Sequence, residues 1–157
     1  MSTAAIVTLI VRYGLVMLFL PFSALDKILG FEGAVKQAQE VFRPRVLAIA
    51  VLFCGLGIEV IMSLGVVTGV ADRLAALVMA AYCAATAILY KRFWAQGDFW
   101  AGGDSRGRAL FWDFLKNLSL GAGFLLIVIG INGSGLRPFL ANPLASSHPY
   151  AIMQEHR

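Results

Sequence analysis

Histidine is absent from every long apolar run of this chain; its only two copies, His148 and His156, stand in the C-terminal tail. That absence excludes a haem held by two histidines inside the hydrophobic part. Cysteine is as scarce: Cys54 and Cys83 both fall in apolar runs without CxxC spacing, and no Cys/His cluster has metal-ligand spacing. A metal site is therefore not expected, and each cysteine reads as a small apolar packing residue, with a Cys54–Cys83 disulfide as the alternative. Phosphate-cradling loops, dinucleotide fingerprints and the GxSxG nucleophile turn are missing as well. Most telling is the shortage of charge, 14% of residues against 59% hydrophobic, with mean hydropathy +0.78. Soluble domains carry about a quarter charged residues, so this composition belongs to an integral membrane protein.

What the chain has is four apolar runs, approximately residues 5–25, 46–67, 74–90 and 111–131. Each is near the roughly 20 residues that cross a bilayer. Each is expected to be helical, because a span in lipid must satisfy its own backbone hydrogen bonds. The expected fold is an all-α integral membrane protein, a four-transmembrane-helix bundle forming one domain over residues 1–157, with residues 132–157 as an extramembrane tail. The first run lacks a basic flank, and Phe22-Ser23-Ala24 is a poor cleavage site, so it reads as a span rather than a removed signal.

An even number of spans puts both termini on one side. The two long connections then share the other side and hold Lys27, Lys36, Arg43, Arg45, Lys91, Arg92, Arg106 and Arg108, against Arg73 and Arg137 on the terminal side. The positive-inside rule turns that asymmetry into a cytoplasmic face for the long connections and an outer face for the termini. The net charge of +4 is explained in the same way, and no nucleic-acid partner is implied. Within the first connection, Phe31, Val35, Ala38 and Phe42 recur at helical spacing, with Glu32–Lys36 and Lys36–Glu40 at i,i+4. A short amphipathic interfacial helix is expected there, ended by Pro44. The second connection carries Phe93-Trp94, Phe99-Trp100 and Phe111-Trp112. Such pairs form an aromatic belt at headgroup level, and Phe99, Trp100, Phe111 and Trp112 also make a candidate docking surface for a flat ring or a partner subunit.

Ionisable residues inside spans carry the functional question. Glu59 lies in the middle of an apolar run, where an unpaired carboxylate costs on the order of 3 kcal/mol. At 1.5 Å per residue, Arg12 lies roughly 10 Å and Glu59 roughly 12 Å below the same boundary, so an Arg12–Glu59 pair is expected. Such a pair is either a helix staple or the lining of a ligand or proton site. At the other boundary Asp26 and Lys27 end the first span, while Asp113, Lys116 and Asn117 open the fourth, forming a second expected cluster with Lys116 pairing to Asp113 or Asp26. Gly55–Glu59–Ser63, Tyr82–Thr86–Tyr90 and Asn117–Gly121 are polar stripes at helical spacing, and Ala76, Ala80 and Ala84 supply close helix contacts. Pro21 is expected to kink the first span.

The order of these features resembles the DoxX family of small four-span bacterial membrane proteins. The matching segments are RYGLVMLFLPFSALDKILGF (Arg12–Phe31), LFCGLGIEVIMSLGVVTGVADRLAAL (Leu52–Leu77), YKRFW (Tyr90–Trp94) and FLKNLSL (Phe114–Leu120), together spanning about residues 12–130. The chain departs from the pattern at Pro21-Phe22-Ser23, in the GDFWAGGDSRG stretch and in its tail. The resemblance implies a membrane subunit or anchor of a quinone-linked oxidoreductase in a bacterial inner membrane, not catalytic alone and binding no cofactor alone, with quinone as the cofactor class of the complex. Carried over by position, Arg12, Lys27, Glu59, Lys116 and Asn117 are its polar set. Partners are then the bilayer and other membrane subunits or further copies of the chain. A free-standing oligomeric small-solute transporter and a purely structural scaffold are the alternatives.

Overall fold

The computed structural model describes residues 2–130 and 135–151, and among these there are helices and turns but no strand. The end of the fourth expected span at Ile131, and His156, lie outside them. Four helical stretches are long and apolar enough to cross a membrane: Thr3–Leu29, Arg45–Thr68, Asp72–Ala95 and Arg106–Ile129.

The first stretch is composite. Helix α1 (Thr3–Val16) starts at Ser2, whose side chain accepts from the Ala5 N–H. A wide π-type turn, Leu18–Ser23, follows, and within it Leu20 leaves helical geometry at φ −124°, ψ 110°. Pro21 stands next to that break and offers no backbone N–H, which accounts for the expected kink. The chain resumes as α2 (Ala24–Leu29) and turns at Gly30 into α3 (Phe31–Gln39). The break at Leu18–Ser23 matters because it re-aims Ser23 and Lys27 toward the next span.

Helix α3 is the amphipathic segment. It buries Val35 and Ala38, and Phe31 meets Phe53 of α4 at 5.8 Å between ring centroids, so it is packed on α4. Its expected i,i+4 ion pairs are not formed; Glu32 binds Arg45 instead, at 2.8 Å. Helix α4 (Arg45–Thr68) ends on Gly69, whose φ of +81° closes the last turn through an N–H bond to the Gly65 carbonyl. After a tight turn, α5 (Asp72–Tyr90) runs back, and α6 (Arg106–Ile129) follows a loop that includes a 3₁₀ turn, Phe93–Ala95. A short α7 (Arg137–Ala141) lies in the tail. Spans three and four begin earlier than hydropathy alone places them, because Asp72, Arg73 and Arg106–Arg108 are polar yet helical.

Helix α5 is the centre of the bundle, packed on both α4 and α6. Its Ala75, Ala76 and Ala80 let neighbours approach, and Gly121 of α6 sits where a side chain would come within 3.4 Å of the Ala80 carbonyl. Val16, Phe19, Val66, Met79, Cys83, Phe124 and Val128 fill the interior. The opposite faces expose residues such as Ile10, Val11, Ile61 and Leu126, as a lipid-facing surface requires.

Candidate functional site

Two buried charge clusters occupy the two halves of the bundle. In the first, Glu59 of α4 is 2% exposed and is surrounded by donors. Lys27 of α2 reaches both carboxylate oxygens, at 2.7 and 2.9 Å. Ser23 donates to Oε1 at 3.0 Å while accepting from Lys27, and the Tyr82 hydroxyl of α5 donates to the same oxygen at 2.9 Å. Gly55, one turn before Glu59, leaves room for that phenol: a Cβ there would stand 3.2 Å from its oxygen. Three helical segments therefore converge on one carboxylate, with an ammonium as countercharge.

The second cluster lies where α4 turns into α5. Arg12 donates through Nη1 to Asp72 Oδ2 at 2.7 Å and to the Val66 carbonyl at 2.8 Å. Asp72 is fully buried at the start of α5, where the helix dipole favours an acid. The tail covers the pair. Ser147 donates its N–H to Asp72 Oδ1 at 2.8 Å and its hydroxyl to Oδ2, and accepts from Arg12 Nη2 at 3.1 Å. Tyr150 donates to the Val67 carbonyl, and Pro149 packs on Gly69, where a Cβ would meet the proline ring at 2.9 Å. Residues 146–150 thus form a strap over the end of the bundle.

This geometry corrects the expected pairing. Arg12 is bound to Asp72, and Glu59 to Lys27; no Arg12–Glu59 ion pair forms. Lys27 also leaves the expected boundary cluster. Asp113 there binds Lys91 and Lys116, both at 3.3 Å, so the Lys116–Asp113 contact forms. Asp26 is exposed, and among the described residues the side chains of Asp26 and Asn117 make no hydrogen bond. Sequence reasoning passed over Ser23, Tyr82, Asp72, Ser147 and Tyr150 as partners. Ser23 carried a usable signal, since it stands four residues before Lys27; the strap carried none.

Lys27 has a second environment. With Ile28, Phe31, Leu52, Phe53 and Leu56 it lines a cleft of about 170 Å³ between α2, α3 and α4. The walls are almost wholly apolar, and Lys27 is the ionisable residue among those that line the cleft. A cavity of about 150 Å³ holds benzene, so one six-membered ring fits.

The aromatic residues gather on the loop between α5 and α6. Phe93 meets Trp94, Phe99, Phe111 and Phe114 at 5.0–5.9 Å between centroids, in tilted or edge-on geometry. The phenylalanines form the inside of this module, while Trp100 is 92% exposed and Trp94 and Trp112 point outward as well. Asp98 holds the loop by accepting from the N–H groups of Arg106 (2.8 Å) and Gly107 (2.9 Å) at the start of α6. Ser105 donates to the Asp98 carbonyl and caps the helix through Arg108 N–H.

Desolvation in the loop pushes the Asp98 carboxyl up, but the N–H bonds from Gly107 and Arg106 outweigh it and lower its pKa below the usual value. A depressed folded-state pKa stabilises the loop above the ordinary carboxylate value of about 3.9, and the contribution is lost as pH falls through the folded value. Emission from Trp100, with Trp94 and Trp112 replaced by phenylalanine, should therefore hold steady from neutrality to about pH 4 and change only below it. A transition centred above pH 5 would contradict this origin.

None of the curated proteins or solved structures compared with the chain matches it. The DoxX family model matches residues 7–92, more than half of the chain, from within α1 through the end of α5, with Arg12, Lys27, Glu59 and Asp72. The chain is a four-span member of the DoxX family.

Proposed function

We propose that this protein is an accessory membrane subunit of a quinone-linked oxidoreductase complex, and that the cleft beside Lys27 receives the ring of a quinone or quinol. The observation that carries the reading is the double placement of Lys27, whose ammonium pairs with Glu59 and whose side chain lines an apolar, ring-sized cleft. An ammonium has three donors, and two of those used here go to one carboxylate. One can turn to a ring carbonyl while the ion pair persists. A quinone in the cleft would supply two-electron redox chemistry. The chain's own part is to orient the ring through Lys27 and exclude water with Phe31, Leu52 and Phe53. Glu59 and Ser23 hold the ammonium in position, and Tyr82 holds Glu59.

The protein sits in the bilayer with the long, basic connections in the cytoplasm of a bacterial cell and both termini in the periplasm, following the charge asymmetry. Trp100, Trp94 and Trp112 rest at headgroup level or against a neighbouring subunit. Isolation from native membranes in mild detergent tests the reading. Cofactor-bearing redox subunits and quinone should come with the chain; a protein that always isolates alone and free of quinone overturns it.

One observation favours a second reading, a structural scaffold: both buried acids are already matched by cations and neutral donors. In that case the clusters staple helices and nothing enters the cleft. A transporter has less support, since Val16, Phe19, Met79 and Phe124 fill the interior of the single bundle.

A further inference from the structure

The two charge clusters lie on one stripe of α4, and Ser63 stands between them. Its side chain is fully buried, and its hydroxyl has no hydrogen-bond partner among the described residues. Buried hydroxyls seldom stay unmatched, and on a helix the nearest remedy is the carbonyl four residues back. Thr68 takes that remedy at 2.7 Å and Thr86 at 2.9 Å. Ser63 makes no such bond to Glu59.

Spare hydrogen-bonding capacity flanks this hydroxyl. On one side, roughly 6 Å along the helix axis, is Glu59. Its Oε1 accepts from Lys27, Ser23 and Tyr82, whereas Oε2 accepts from Lys27 alone. On the other side, about 4.5 Å along the axis, is Val66, whose carbonyl binds Arg12. Arg12 uses Nη1 and Nη2 for Val66, Asp72 and Ser147, and its Nε–H makes no hydrogen bond among the described residues. By position along α4, the unmatched Ser63 hydroxyl therefore falls between Glu59, whose Oε2 has free lone pairs, and the Val66 carbonyl that Arg12 binds.

We infer that Ser63 is a binding site for internal water, and that this water joins the Lys27–Glu59 and Arg12–Asp72 clusters into one hydrogen-bonded network. Water is the ligand class that fits: it donates to Glu59 and accepts from Arg12 or Ser63, and buried waters make about three such bonds. Through that network the docking of the tail strap on Asp72 is felt at Lys27, and so at the cleft that Lys27 lines. The inference does not depend on what the cleft binds.

A double-mutant cycle on the full-length protein in detergent tests it. Ser147→Ala loosens the strap while leaving the Arg12–Asp72 pair in place, and Tyr82→Phe removes one donor from Glu59 while keeping the ring. Distant sites without shared partners add closely, whereas members of one network do not. With Ser63 present, the two changes should be non-additive by about fivefold or more in the unfolding equilibrium constant. In a Ser63→Ala background the discrepancy should fall below about twofold. Additivity in the Ser63 protein overturns the inference, and so does coupling that survives Ser63→Ala. An experimental structure fine enough to show ordered water should place one within hydrogen-bonding distance of Ser63 Oγ; a dry contact there overturns it equally.

Discussion

Lys27→Met should destabilise the protein by about 3 kcal/mol, the low end of the cost of breaking a buried pair from one side. The reason is asymmetric burial. Glu59 is 2% exposed and among the described residues pairs with no other cation, so the substitution strands a carboxylate in hydrocarbon with Ser23 and Tyr82 as its remaining described donors. Glu59→Gln should cost less, about 1–2 kcal/mol, because the lysine side chain is partly exposed and its ammonium can turn into the cleft while the new amide still accepts from Tyr82. Combining the two changes should return the protein to within about 1 kcal/mol of its starting stability, since a neutral pair needs no countercharge. Reversible unfolding in detergent measures all three. A double variant no better than Lys27→Met would mean that the pair is not what balances Glu59.

Asp72→Ala should have an effect of similar size, about 3–5 kcal/mol, and a second consequence that separates it from the first. Arg12 would remain buried without its countercharge, bound only to Val66 and Ser147. The strap would lose both acceptors of Ser147 at once, keeping the Tyr150 hydroxyl on the Val67 carbonyl and Pro149 on Gly69. The tail should then become open to limited proteolysis between residues 142 and 150, whereas Lys27→Met should leave it protected. Equal cleavage of the two variants would show that the strap is held by something other than Asp72.

The two predictions concern pairs that sequence reasoning set differently, and the cause is physical. Depth along a span follows from residue count, and by that measure Arg12 and Glu59 are level. Side chains do not stay at the depth of their Cα, however. Arginine and lysine reach along the bundle to the most favourable partner. For Arg12 that partner is Asp72, counted as a loop residue although it is the first residue of α5. For Lys27 it is Glu59, brought within reach by the turn at Leu18–Ser23, whose departure from helical geometry no periodicity reveals beyond the presence of Pro21.

Other features were legible because one strong term decides them. The four apolar runs of sufficient length correspond to four helical stretches long and apolar enough to cross a membrane. Phe-Trp dipeptides beside span ends collect into an aromatic module, and Lys116 finds Asp113 because they are three residues apart on one helix. Ser63 was recognised as part of the Glu59 stripe, but an unmatched hydroxyl is visible only once its neighbours are known. The strap was invisible for another reason. Residues 142–150 have little periodicity and no long apolar run, and their docking rests on a few hydrogen bonds to Arg12, Val67 and Asp72, all distant in sequence.

Quinone retention by the purified protein, compared with that of the Lys27→Met/Glu59→Gln variant, is the most direct test that the Lys27 cleft is a ring site. The double variant keeps the fold and the apolar walls but has no ammonium to offer a carbonyl. Wild-type protein extracted from membranes containing quinone should hold it in a fixed ratio to the chain, and the variant should lose at least about tenfold in affinity, as removal of a charged hydrogen bond of about 1.4 kcal/mol requires. Equal retention by both proteins, or none by either, would contradict it.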